Sequence, residues 1–206
     1  MKLVGIVGTN ATASTNRQLL QYMRQRYASK ATIEVAEIAG LPAFNEPEDR
    51  TAPASIQALS DQIKAADGVI FATPEYDHSI PAVLKSAIEW LSYTTRPLIS
   101  KPVLIVGASN GALGTSRAQA HLRQILEAPE LKALVMPNVD YLLGHSLQAF
   151  DKAGQLKDAE KVAELDSDFT AFLAFVALTA KITPENKFVE KNQQFSWSQV
   201  TDGRDF

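Results

Sequence analysis

Val69-Ile70-Phe71-Ala72-Thr73-Pro74-Glu75-Tyr76-Asp77-His78-Ser79-Ile80-Pro81-Ala82-Val83-Leu84-Lys85-Ser86-Ala87-Ile88-Glu89-Trp90 decides how the rest of the chain is read. Val69, Ile70 and Phe71 form a short β-branched and aromatic run bounded by Asp67-Gly68 and Thr73-Pro74, the pattern of a buried strand in a parallel sheet. Pro81 suits the first turn of a helix, and Val83, Leu84, Ala87, Ile88 and Leu91 follow at helical spacing. The loop from Thr73 to Ser79 therefore sits at the carboxyl end of a strand, where open α/β sheets place their ligands.

Working outward, Lys2 to Gly8 reads as a first strand and Asn16 to Tyr27 as a helix with Leu19, Leu20, Met23 and Tyr27 on one face. Thr32 to Ile38 alternates apolar and polar residues, as a strand with one covered face does. A proline-rich loop from Gly40 to Arg50 leads to a helix carrying Ile56, Leu59 and Ile63. Beyond Trp90, Pro102 to Gly107 reads as a fourth strand, Leu113 to Leu126 as a helix, and Leu131 to Met136 as a fifth strand stopped by Pro137. Leu156 to Ile182 repeats Val162, Leu165, Phe169, Phe172, Leu173, Val176 and Leu178 at helical spacing. Five strands alternating with five helices imply right-handed crossovers and a doubly wound, three-layer α/β/α sandwich, its five-stranded parallel sheet ordered 2-1-3-4-5. The domain spans residues 1–183. Residues 184–206, polar apart from Phe188, Phe195, Trp197 and Phe206, are read as an appendage packing on the domain or on a partner.

Composition bounds the chemistry. At 206 residues, with 46% apolar and 21% charged, the chain fits one globular domain, and no apolar run approaches the roughly 18 residues of a membrane span. The first residues are better used as a strand than as a signal peptide, so a cytoplasmic location is expected. Zero cysteines exclude disulfides, thiolate nucleophiles and thiolate metal sites, leaving redox chemistry to a bound cofactor. A net charge of −3, with scattered Lys and Arg, gives no footprint for nucleic acid. His78, His121 and His145 lack metal-ligand spacing, so no metal site is expected.

Three post-strand loops carry the candidate chemistry. Thr9, Thr12, Ser14, Thr15 and Asn16 crowd the first, ahead of a helix; such a loop offers a phosphate short donors, free N–H groups and the positive end of the helix dipole. The bland alternative is that Ser14 or Thr15 only caps the helix. Neither the Gly-Lys-Ser/Thr of a Walker loop nor a Gly-x-Gly-x-x-Gly fingerprint is present. The third loop, Gly107-Ala108-Ser109-Asn110-Gly111-Ala112-Leu113-Gly114, has glycines that suit either close approach to a flat ligand or turns and helix packing. In the 2-1-3-4-5 order all three loops meet at one edge, which fits a flavin mononucleotide with its phosphate on the first loop and its ring between the other two.

Three segments in order carry a family resemblance: Gly8-Thr9 with Ser14-Thr15-Asn16-Arg17; Pro74 to Pro81 continuing through Leu84 to Trp90; and Gly107-Ala108-Ser109 through Gly111, Gly114 and Arg117-Ala118-Gln119. Over about residues 1–180 the chain resembles the NADPH-dependent FMN reductases of flavodoxin-like fold, the group of quinone, azo-dye and chromate reductases. The resemblance implies FMN as cofactor and NADPH or NADH as co-substrate. It puts Thr9, Ser14, Thr15 and Asn16 on the phosphate, Pro74, Glu75, Tyr76 and Asp77 on one edge of the ring, and Ser109, Asn110 and Gly111 on the other side. Three positions depart from the family pattern: Ala11 stands at the usual first-loop Arg, Asp77 at the usual Asn, and Gly114-Thr115 at a usual glycine pair. An Asp77 carboxylate near the ring would disfavour added negative charge there and lower the flavin potential.

The expected function is that of an FMN-dependent oxidoreductase passing hydride or electrons from NAD(P)H to a quinone, azo compound, free flavin or similar small-molecule acceptor by ping-pong kinetics. The cofactor carries the chemistry, so no catalytic side chain is named. An electron carrier without a nicotinamide site and a non-enzymatic binding module are the alternatives. A homodimer or homotetramer is expected. Trp90, Leu91 and Tyr93 suit the core or, with Glu89, a dimer interface.

Overall fold

The computed structural model describes residues 1–182; the appendage read over 184–206 lies outside them. Strands β1 (Lys2–Val7), β2 (Thr32–Glu37), β3 (Gly68–Ala72) and β4 (Pro102–Ala108) pair in parallel in the order β2-β1-β3-β4. Helices α1 (Thr15–Arg26), α2 (Ala54–Ala65), α3 (Ala82–Trp90) and α4 (Ser116–Leu126) make the crossovers, and α6 (Ala159–Ile182) closes the fold. Alternation along the strands sorts the core into two halves, because successive side chains leave opposite faces of the sheet. Val4, Ile6, Val69, Phe71, Val103 and Ile105 meet Ile56, Ile63, Leu84, Ile88 and Leu122 from α2, α3 and α4. Leu3, Val7, Ile70, Leu104 and Val106 meet Leu19, Leu20 and Met23 from α1, and Leu165, Phe169 and Phe172 from α6. The sandwich and the 2-1-3-4-5 order expected from the sequence are what the chain adopts.

The fifth strand departs from expectation. In place of one run over 131–136, two short strands lie end to end beside β4: β5 (Leu134–Val135) opposite Pro102 and Val103, and β6 (Tyr141–Leu143) opposite Val106 to Ala108. Pro137 withdraws a ladder donor and Asn138 turns at φ 56°, so the chain bulges out between them. Arg123 of α4 satisfies the carbonyls freed there, donating to Met136 O at 2.9 Å and Val139 O at 3.2 Å. The chain beyond Pro137 thus returns to the sheet and ends in a one-turn helix, α5 (Ser146–Ala149), beside the loop after β4.

One further expectation is corrected, and one choice left open by the sequence is decided. Leu178, counted on the inward face of the last helix, is 56% exposed, and the buried stripe is Leu165, Phe169, Phe172, Val176 and Thr179. Of the two readings of Trp90 and Leu91, the core one holds, since both are buried within the chain. The Gly40–Arg50 loop folds over them: Trp90 Nε1 donates to Pro42 O at 3.0 Å, and Phe44 packs edge-on against Trp90 and Tyr93. Leu91–Thr95 widens into one π-helical turn that ends at Arg96, φ 49°.

Candidate active site

A cavity of about 660 Å³ opens at the carboxyl ends of β1, β3 and β4, against the start of α1. Thr9, Ser14, Thr15, Asn16, Pro74, Glu75, Tyr76, Ser109 and Asn110 all line it, so three loops widely separated in sequence converge as expected. Asp77 and Gly111 are not among its lining residues. Asp77 is exposed and, with His78, forms the tip of a two-residue hairpin whose ends, Tyr76 and Ser79, exchange two backbone hydrogen bonds of 2.9 Å. Both tip residues have positive φ, 49° and 64°, which matches the right-handed twist of the flanking chain.

In the first loop, capping and donation prove compatible. Ser14 Oγ accepts the Arg17 N–H at 3.2 Å as the N-cap of α1, and its own proton stays available, since a hydroxyl accepts and donates at once. Thr15 Oγ1 donates to Ser146 Oγ at 3.0 Å, which leaves the Ser146 proton to give. Thr9 is buried; its Oγ1 accepts the Ala11 N–H and lies 3.2 Å from the Tyr76 hydroxyl. The first N–H groups of α1 have no intrahelical acceptor and carry the positive end of its dipole.

Asn16 does something the sequence did not disclose. Its carboxamide donates to Ala108 O at 2.8 Å and accepts the Ala108 N–H at 2.9 Å, so the side chain clamps α1 to the end of β4. Arg17 is likewise spent outside the cavity, bidentate to Glu37 at 2.5 and 2.8 Å while donating to the Ala11 and Thr12 carbonyls. The hydrogen bond to Glu37 is what raises the Arg17 pKa.

Glu75 turns its carboxylate away, onto the start of α4. It accepts the N–H groups of Arg117 and Ala118 at 3.0 and 3.2 Å and pairs with the Arg117 guanidinium at 3.3 Å. A carboxylate at a helix N-terminus is favoured by the dipole, so Glu75 holds the second loop to the third. Ser109 is pinned from three sides, by its hydroxyl on Gly114 O, its N–H on Leu143 O, and its carbonyl accepting the Ser146 N–H. Gly107 allows close packing rather than ligand approach: a Cβ there would overlap the Thr115 hydroxyl and come within 2.7 Å of Thr73 O. Ser146, Leu147 and Phe150 complete the wall, and no motif in the sequence marked them. Among the described residues no cluster of His, Asp and Glu is arranged to hold a metal.

A family model for NADPH-dependent FMN reductases matches residues 1–148. The chain belongs to this family. It is 54% identical over 197 residues to the NADH:(hydroxy)cinnamate reductase subunit CrdA of Vibrio ruber, covering 96% of this chain and 98% of that one. It is 44% identical to the NADH-dependent flavin reductase subunit 2 of Lactobacillus johnsonii, over 88% of this chain and all of the relative, and 35% identical to the quinone reductase of Escherichia coli, over 85% and 95%. Among solved structures, the flavoenzyme NAD(P)H:(acceptor) oxidoreductase FerB from Paracoccus denitrificans superposes with a TM-score of 0.72 at 28% identity, covering 87% of this chain and 97% of FerB.

As a member of the NADPH-dependent FMN reductases, the chain is an FMN-dependent oxidoreductase with NAD(P)H as co-substrate. The cavity fits that cofactor. Its volume lies in the range of small-molecule sites, and its hydroxyls and helix start suit a phosphate. Bound there, FMN would supply hydride and electron transfer, in a cavity whose loops Asn16, Glu75 and Ser109 tie together.

Proposed function

We propose that this reductase passes electrons from NAD(P)H to a quinone, azo compound, free flavin or similar small acceptor by a ping-pong route, donor and acceptor using one open face of the cavity in turn. In this reading Thr9, Ser14, Thr15 and the start of α1 hold the FMN phosphate. Asn16 takes part through its backbone and by fixing the helix. Pro74, Glu75 and Tyr76 flank the ring on one side and Ser109 and Asn110 on the other, with Asp77 and Gly111 next to them in sequence but outside the cavity lining. The observation that carries it is the convergence of three post-strand loops on a cavity rich in neutral donors at a helix N-terminus. Relatives named as flavin and quinone reductases support the acceptor class.

Among the described residues no helix is long and apolar enough to cross a membrane. We read the protein as cytoplasmic and as a homodimer or homotetramer. Two similar relatives are named as subunits, which favours a second arrangement in which this chain delivers electrons to a partner protein. An electron carrier with no nicotinamide site ranks lower, because such carriers are commonly strongly acidic for docking and this chain carries −3.

The test is spectroscopic. The purified protein, as isolated or after adding FMN, is expected to be yellow and to bleach when NADH or NADPH is added anaerobically. A protein that takes up no FMN overturns the reading, and one that bleaches only through a separate reductase is a carrier. Light scattering of the chain alone distinguishes a homo-oligomer from a subunit awaiting its partner.

A further inference from the structure

The candidate FMN cavity has no lysine, arginine or histidine among its lining residues, yet a nicotinamide dinucleotide brings at least a pyrophosphate with it. Cations lie on the other side of α5. Ser146 and Leu147 face the first cavity, whereas His145 and Gln148 face a second one of about 560 Å³, so a single helical turn is the wall between them. Lys157 and Lys161 close this second cavity at the start of α6, and Leu113 and Leu142 give it an apolar side.

Its charges are unequally committed. Lys161 pairs with Glu164 at 2.7 Å and lies 5.8 Å from the centroid of the Tyr141 ring. The Asp158 carboxylate also lines the cavity but is used as a cap, accepting the Glu160 and Lys161 N–H groups at 2.9 and 3.3 Å. Lys157 is exposed and has no carboxylate partner among the described residues. Leu113 is 60% exposed on the same loop that carries Ser109 and Asn110, and it lines the cavity that Lys157 also lines. Phosphate on a lysine and a purine on leucine is the recognition such a pair affords.

We propose that the second cavity holds the adenylate end of the nicotinamide donor, its phosphates against Lys157 with Lys161 behind and its adenine on Leu113. The inference rests on the reading of the first cavity as the FMN site, since the donor must span the two across α5 and the loop after β4.

The test uses FMN-loaded protein, ADP-ribose as probe, and Lys157→Glu. ADP-ribose is expected to bind the parent protein in a calorimetric titration and to compete with NADH. Lys157→Glu should weaken ADP-ribose and raise the KM for NADH by about tenfold, the order expected for reversing one charge at a phosphate, with kcat unchanged. Reduced nicotinamide mononucleotide, which lacks the adenylate, should serve parent and variant equally. Unchanged ADP-ribose affinity and NADH KM in the variant, or an equal loss with the mononucleotide donor, overturns the proposal. Inhibition by ADP-ribose that is not competitive with NADH overturns it too, marking an effector site instead. Lys157-dependent ADP-ribose binding in a protein that neither donor reduces would support the adenylate site and sink the proposed reductase function alone.

Discussion

The Asn16 carboxamide and the Ala108 backbone hold each other by two hydrogen bonds, 2.8 and 2.9 Å, across 92 residues of sequence. The pair is buried, with Asn16 only 2% exposed, and it sets the start of α1 against the end of β4, the two sides of the candidate phosphate cradle. Asn16→Ala leaves a buried N–H and carbonyl unpaired and should cost about 2–4 kcal/mol, one to two kcal/mol for each lost partner. Urea unfolding checks it; a loss under about 0.5 kcal/mol, within the range of an ordinary surface change, would show that water replaces the amide.

Ser146 ties α5 to the same cradle through Thr15. Ser146→Ala should weaken FMN binding several-fold while leaving the melting temperature of the flavin-free protein nearly unchanged, because one partly exposed hydrogen bond contributes only about 1 kcal/mol. Fluorescence titration with FMN reads the affinity. An unchanged dissociation constant would mean that α5 walls the cavity without positioning the loop.

Gly107, near the end of β4, and Gly111, in the loop that follows, should respond unequally. Gly107→Ala has no room beside Thr115 and the Thr73 carbonyl and should cost at least about 3 kcal/mol or prevent folding. At Gly111 the nearest atom to an added Cβ is Ser109 Oγ at 3.8 Å, so Gly111→Ala should fold with a change below about 0.5 kcal/mol. Thermal melts of the two variants decide, and equal destabilisation would contradict the packing described.

At the hairpin tip, His78 holds a left-handed conformation that glycine adopts without cost. His78→Gly should stabilise by about 0.5–1 kcal/mol, the relief of backbone strain less the entropy glycine loses. A lower melting temperature would show that the imidazole is held by contacts worth more than the strain. Asp77 beside it points to a smaller effect on flavin potential than the sequence implied, since it lies outside the cavity lining.

Asp166 gives the fold an acid dependence. Its carboxylate accepts from Arg26 at 2.6 Å twice and from the Tyr27 hydroxyl at 3.0 Å, and the Arg26 bonds hold its pKa below the ordinary value of 3.8 against the opposing effect of burial. A folded-state pKa below the unfolded one contributes stability that is fully present above about pH 4 and is lost as pH falls through the folded value. The group is about a third exposed, so the contribution is at most about 1 kcal/mol. Stability of the parent minus that of Asp166→Asn should be largest at neutral pH and shrink as the pH falls below about 4; a difference independent of pH would refute the ionic origin.

Local pattern was enough for the frame. The β-branched run at Val69–Phe71, the helical spacing after Pro81 and the repeat of strand and helix dictate which faces must be buried, and burial on both faces of a parallel sheet leaves few orders for the strands. The loops rich in hydroxyls and glycine therefore had to meet at one edge. Their individual duties could not be read this way. Whether Asn16 faces a ligand or Ala108, whether Glu75 reaches the cavity or caps α4, and whether Trp90 is core or interface depend on atoms brought near from tens of residues away. The broken fifth strand is of the same kind: Pro137 announces a stop, but the return of Tyr141–Leu143 to β4 follows from open ladder positions at Val106–Ala108 that no local periodicity encodes. Ser146 reaches Thr15 across 131 residues for that reason, because a hydrogen bond is specified by the partner's position in space and a hydrophobic period only by the residue's own.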